Sequence, residues 1–172
     1  MPKCSGVAPG PRLLKMEPSF EKLLVLLAEA QVKFIVVGGV AVSMQGYVRL
    51  TEDVDLLLDD APVNLERLLS VLAHYGEGFA RELSLDDFTD EEGAIRIVEE
   101  VESCQMDLFT VMSGLRYADI IRDADLFPIQ GEAIAFASKF SLIAWKAKSV
   151  RQKDRLDAMA LQRLLENPRA FD

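Results

Sequence analysis

Histidine and cysteine are almost missing from this 172-residue chain: His74 is the single histidine, and Cys4 and Cys104 are the two cysteines. One histidine beside Tyr75 at the end of a helical pattern reads as a capping or surface residue, and no Ser/His/Asp set can be built around it. Two cysteines cannot make a disulfide framework or a zinc site, and Cys104, without an adjacent base, reads as an inert buried thiol. Long apolar runs are missing too. The opening MPKCSGVAPGPRLLK has no signal-peptide core, and no later segment reaches the ~18 apolar residues of a membrane span. These absences predict a soluble, cytoplasmic protein with no membrane partner. No internal repeat or low-complexity tract interrupts the chain.

Basic charge is also scarce, with 19 Lys and Arg against 28 Asp and Glu and a net charge of −9. What basic charge there is clusters. Between Lys139 and Arg163 stand seven basic residues against Asp154 and Asp157, a segment of +5 that leaves −14 on the rest. Such asymmetry lets one face meet a phosphate-bearing ligand while the remainder stays acidic. Apolar residues make up 50% of the chain, enough for a real core and incompatible with general disorder.

Periodicity divides the chain into a Pro- and Gly-rich flexible tail over 1–16, an α/β core over 17–137 and a helical part over 138–172. Pro18-Ser19 opens a helix carrying Phe20, Leu23, Leu24 and Leu27. Phe34-Ile35-Val36-Val37 is a short β-branched run that predicts a buried strand, followed by Gly38-Gly39 and a short helix from Val40 to Gln45. Asp53 to Leu58 reads as the next strand, and Pro62 introduces a helix over about 63–75. Further strands are expected near 94–98 and 104–110, with the acids from Glu99 to Glu102 in a solvated turn. After a helical piece over 117–122 comes an extended stretch broken by Pro128 and Gly131. Ser138 then caps the first of two closing helices. The order predicts an α/β (α+β) fold: a small mixed sheet flanked by helices, with helices at the C-terminus.

Alternation along a strand puts Asp53 and Asp55 on one face, about 7 Å apart, with Val54 and Leu56 on the other. Adjacent carboxylates repel one another, so the pair suits either a solvated strand end or a site where a hard cation such as Mg²⁺ bridges them to phosphate. Gly38-Gly39, between strand and helix, is either a tight turn or a place where backbone closely approaches phosphate. Asp107, flanked by Met106 and Leu108, is the best third acid, because an unpaired carboxylate in an apolar strand is costly.

Together, VVGGVAVSMQGYVRLTEDVDLLL resembles the signature of the nucleotidyltransferase superfamily, in which a Gly-Gly or Gly-Ser pair precedes Asp-x-Asp by about a dozen residues. SLIAWKAKSVRQKDRLDAMAL is similar to the helical motif of its minimal, abortive-infection (AbiEii-like) toxin-type members. The resemblance covers 34–161. It implies a nucleotidyltransferase-type fold and transfer of a nucleoside monophosphate from a triphosphate such as ATP to a hydroxyl. It further implies a two-metal Mg²⁺ site, with Mn²⁺ as the alternative ion, on Asp53, Asp55 and Asp107, and activation of the acceptor by Asp107. Gly38 and Gly39 would cradle the phosphates, and Ser43 would replace the serine that many transferases carry where Val40 stands. Lys146 would neutralise the triphosphate, and Lys153 and Asp154 would orient the helices against the nucleotide. Arg49 and Thr51 would brace the loop before Asp53.

The acceptor stays open between RNA, such as a tRNA end in a toxin-antitoxin setting with a small antitoxin-like partner, and a small molecule such as an aminoglycoside. A third reading is a non-catalytic nucleotide-binding regulator.

Overall fold

The computed structural model describes residues 16–172. The expected tail, with Cys4, therefore lies outside the described residues except for Met16, which is buried against the core. Helix α1 (Pro18–Glu29) starts on a proline at its first turn, where the missing N–H has no partner to lose, and buries Phe20, Leu23, Leu24 and Leu27. Strand β1 (Phe34–Val37) is buried at every position, as a strand covered on both faces must be. Helix α2 (Gly38–Met44) follows without a linker, starting two residues before the predicted Val40.

Strand β2 (Val54–Leu58) and helix α3 (Pro62–Leu72) come next, then two 3₁₀ turns at Phe79–Glu82 and Leu85–Asp87. Strands β3 (Ile95–Glu99) and β4 (Cys104–Phe109) form a hairpin, and the short helix α4 (Tyr117–Ile120) leads to β5 (Asp125–Ile129) and β6 (Glu132–Phe136). The chain closes with α5 (Lys139–Ala147) and α6 (Gln152–Glu166), packed on each other. Ser138 caps α5 as expected, its Oγ accepting from the Ser141 N–H at 3.2 Å.

The six strands make one mixed sheet in the order β3-β4-β2-β1-β6-β5, with β1–β6 and β2–β4 parallel and the other neighbours antiparallel. Helices α1 and α3 contact each other and α1 also covers β6, while α2 packs on β1, β2 and α5. This is the mixed sheet with flanking and C-terminal helices that the order of elements predicts.

Two local expectations change. The stretch broken by Pro128 and Gly131 is a full hairpin: Pro128 stands in the edge strand β5, which can spare an N–H, and Gln130-Gly131 turn with φ of 48° and 85°. Glu99 is not a solvated turn residue. It closes β3, is 1% exposed, and accepts the backbone N–H groups of Glu77 and Phe79 at 2.8 and 3.0 Å, so it pins the start of the irregular segment 76–92 to the sheet. Further along that segment, the Thr89 carbonyl accepts from the Thr110 hydroxyl and Asp90 pairs with Arg116.

Candidate active site

The parallel register of β2 and β4 pairs Val54 with Met106 and Asp55 with Asp107, which sets the two carboxylates side by side on one face. Asp53, two residues before Asp55, joins that face. Each of the three offers an oxygen within 4.8 Å of the others. Antiparallel pairing of β3 with β4 adds Arg96 opposite Asp107. Its guanidinium donates from Nε to Asp107 Oδ1 at 2.8 Å and from Nη2 to Asp107 Oδ2 at 2.9 Å, and reaches Asp53 Oδ2 at 3.4 Å.

One guanidinium does not balance three carboxylates. The hydrogen bonds from Arg96 outweigh burial and hold Asp107 below the usual carboxylate range. Burial and the neighbouring Asp107 raise Asp53 despite the counteracting Arg96 and Lys153. Burial, Asp53 and Asp107 push Asp55 up to about 7, opposed by the charge of Lys146. A close, partly desolvated set of three acids in which one is ready to lose its proton near neutrality fits a hard divalent cation with oxygen ligands.

Gly38 is required by this geometry. Its φ is +66°, and a Cβ placed there would fall into the Asp55 carboxylate. At Gly39 a Cβ would meet the Thr51 methyl and come within 3.0 Å of the Arg49 guanidinium. Both glycines line the cleft beside the acids, and both also make room for side chains of the chain itself.

The loop before Asp53 is fastened to the C-terminal helices. Arg49 Nη2 donates to Asp157 Oδ2 at 2.8 Å, and Lys146 Nζ lies 2.9 Å from the same oxygen and 2.9 Å from Asp154 Oδ1. The Asp157 side chain is 1% exposed. Burial alone would raise Asp154, but the hydroxyl of Ser149 at 2.6 Å and the Lys146 ammonium outweigh it and hold the carboxyl low. Lys146 is thus a buried cation shared by two acids rather than one on an open helix face.

A cleft of about 790 Å³ opens over the acids. Gly38, Gly39, Arg49 and Thr51 line one part of it, Phe109, Met112, Leu142 and Trp145 an apolar part, and Lys148, Arg151 and Lys153 its exposed side, with the half-buried Asp154 beside them. The indole N–H of Trp145 is buried with no acceptor among the described residues. Of the predicted residues, Asp53, Asp55, Asp107, Gly38, Gly39, Lys146, Lys153 and Asp154 meet here. Ser43 does not. It is buried, and its Oγ exchanges hydrogen bonds of 3.3 and 3.4 Å with the carbonyl and N–H of Arg49.

Arg96 is not among the candidates that the sequence suggests. The signal for it is present in the hairpin: a four-residue turn between Glu99 and Cys104 pairs residue 96 with residue 107.

No helix among the described residues is long and apolar enough to cross a membrane. No curated protein matches the chain significantly. A crystal structure of an antigenic nucleotidyltransferase-like protein from Paracoccidioides brasiliensis is similar to it at 16% identity, over 85% of this chain and 76% of that one, with a TM-score of 0.47. A protein-family profile described as nucleotidyl transferase of unknown function (DUF2204) matches residues 18–169. Since the match takes in every element from α1 to α6, the chain belongs to that nucleotidyl transferase family.

Proposed function

We propose that this protein moves a nucleoside monophosphate from a nucleoside triphosphate to a hydroxyl of RNA, using Mg²⁺ at Asp53, Asp55 and Asp107. The observation that carries the reading is the meeting of three carboxylates with a cation-lined cleft of about 790 Å³, large enough for a nucleotide. In the transfer, an acceptor oxygen attacks the α-phosphorus, the bond to the β-phosphate bridge breaks, and pyrophosphate leaves. A divalent ion bound by the acids, alone or as a pair, supplies positive charge for the phosphates and lowers the pKa of the acceptor hydroxyl.

The chain's own groups divide the remaining work. Asp107 takes the acceptor's proton on its carboxylate. Asp53 and Asp55 provide ligand oxygens, and Gly38 lets Asp55 sit against the backbone. Lys153, together with Lys148 and Arg151, meets phosphate at the exposed side of the cleft. Lys146 and Asp154, bound to each other, hold α5 and α6 in place beside the nucleotide.

These exposed cations favour a polyanionic acceptor over a cationic drug, which they would repel. The helix pattern around Lys146 to Asp157 extends the proposal to a toxin-type setting in which a small antitoxin-like protein is the partner. Incubating the protein with each labelled triphosphate, Mg²⁺ and total cellular RNA should label one RNA class and release pyrophosphate, and Asp53→Ala should abolish both. Labelling by Asp53→Ala equal to that by the parent would refute the reading.

A further inference from the structure

Arg96 is the one cation in direct contact with the acid set among the described residues, and it holds Asp107 by both oxygens and Asp53 by one. Those oxygens are the ones that the proposed cation site needs, so any role for Arg96 there rests on that reading. Of the other cations in the cleft, Lys148, Arg151 and Lys153 are exposed and form no ion pair with the acids, and two are immobilised. Arg49 and Lys146 have side chains 16% and 10% exposed and are locked on Asp157. The Arg96 side chain is 58% exposed, stands on the edge strand β3 and lines the same cleft, so little packing resists its turning.

We propose that Arg96 is a built-in counter-cation that occupies Asp53 and Asp107 until a divalent ion and a nucleotide arrive together. Without nucleotide, the guanidinium and the ion compete for the same carboxylate oxygens, and the bare site binds the ion weakly. When a triphosphate enters the cleft, the guanidinium gains a second anion whose oxygens match its planar fork, and it turns from the acids onto phosphate. The exchange couples the two ligands: nucleotide strengthens the ion and the ion strengthens nucleotide by the same factor. Arg96 is on this account a positioning residue that acts through the acids before reaction and through phosphate afterwards.

The test is Mn²⁺ binding to the full chain, read from the electron paramagnetic resonance signal of the free ion, without nucleotide and then with a non-hydrolysable triphosphate. Arg96→Gln is expected to bind Mn²⁺ without nucleotide roughly tenfold more tightly than the parent, the size of effect that one adjacent full charge exerts on a partly exposed site. Arg96→Lys keeps the charge and should stay near the parent. Nucleotide should tighten Mn²⁺ binding strongly in the parent and only weakly in Arg96→Gln. A role confined to holding Asp107 in position has the opposite sign, with Arg96→Gln binding Mn²⁺ more weakly; that result, or an unchanged affinity, overturns the proposal. Arg96→Met repeats the measurement with an apolar stem should the glutamine variant be poorly folded. Asp55→Asn separates the two levels. If it removes Mn²⁺ binding while Arg96→Gln gains nothing, this inference alone falls; if it leaves Mn²⁺ binding untouched in both backgrounds, the ion is not at the acids and the site reading falls with it.

Discussion

Gly38 and Asp55 share one space: the carboxylate of Asp55 lies where a side chain at position 38 would begin. The glycine is thus a condition for the acid's position, in addition to its place at the edge of the cleft.

Gly38→Ala should therefore cost stability and activity together. A left-handed φ alone costs an alanine about 1–2 kcal/mol, and displacement of Asp55 adds to that. Denaturant titration should show a loss of at least about 1 kcal/mol, and Mn²⁺ affinity should fall in the folded protein. A variant of parental stability and Mn²⁺ affinity would show that the turn can relax away from Asp55.

Asp55 gives a pH signature in the presence of a chelator. Its folded-state pKa, about 7, lies above the ordinary 3.8, so the folded state binds the extra proton between those values. Stability from this group is complete below about pH 4, declines as the pH climbs, and is gone above about 7. Asp55→Asn should lack that decline and exceed the parent in melting temperature at pH 8, while Mg²⁺ should restore the parent but leave the variant unmoved. Identical pH profiles would show that Asp55 does not carry the strain.

Asp157 is buried between Arg49 and Lys146, so its removal strands Arg49 and leaves Lys146 with Asp154 alone. Asp157→Ala should lose about 3–5 kcal/mol in equilibrium unfolding, the usual cost of breaking a buried pair from one side. Asp157→Ala combined with Lys146→Met should recover part of that loss. Additive losses in the double variant would mean that the three groups do not act as a unit.

Replacing Lys148, Arg151 and Lys153 together should weaken RNA binding and flatten its salt dependence. Each single-stranded phosphate contact contributes a slope of roughly −0.7 in log K against log salt, so the triple variant should lose about two units of slope. An unchanged slope would place the acceptor elsewhere or make it a small molecule.

The range of each interaction decides whether the sequence discloses it. Asp53 and Asp55 share a face because of local alternation, and Gly38-Gly39 come directly after the strand FIVV, so both motifs are legible by eye. Asp107 is legible from its apolar flanks, because a carboxylate between Met106 and Leu108 needs a partner. The identity of that partner is not, since Arg96 reaches it only through the register of a hairpin whose turn reads as loose acids. Ser43 misleads for a related reason: its spacing from Gly39 is suggestive, but the loop at Arg49 folds back and takes its hydroxyl. The hairpin of β5 and β6 is obscured by Pro128, which reads as a breaker until the strand is known to be an edge.

The clasp between Arg49 and Asp157 spans 108 residues of chain. On a ribosome, the glycines, Asp53, Asp55 and Asp107 all emerge before the helix that steadies the loop leading into them. The nascent protein should thus stay inert until α6 has been made and has docked, and a chain interrupted at the start of α6 should carry a full set of acids yet lack a fixed site.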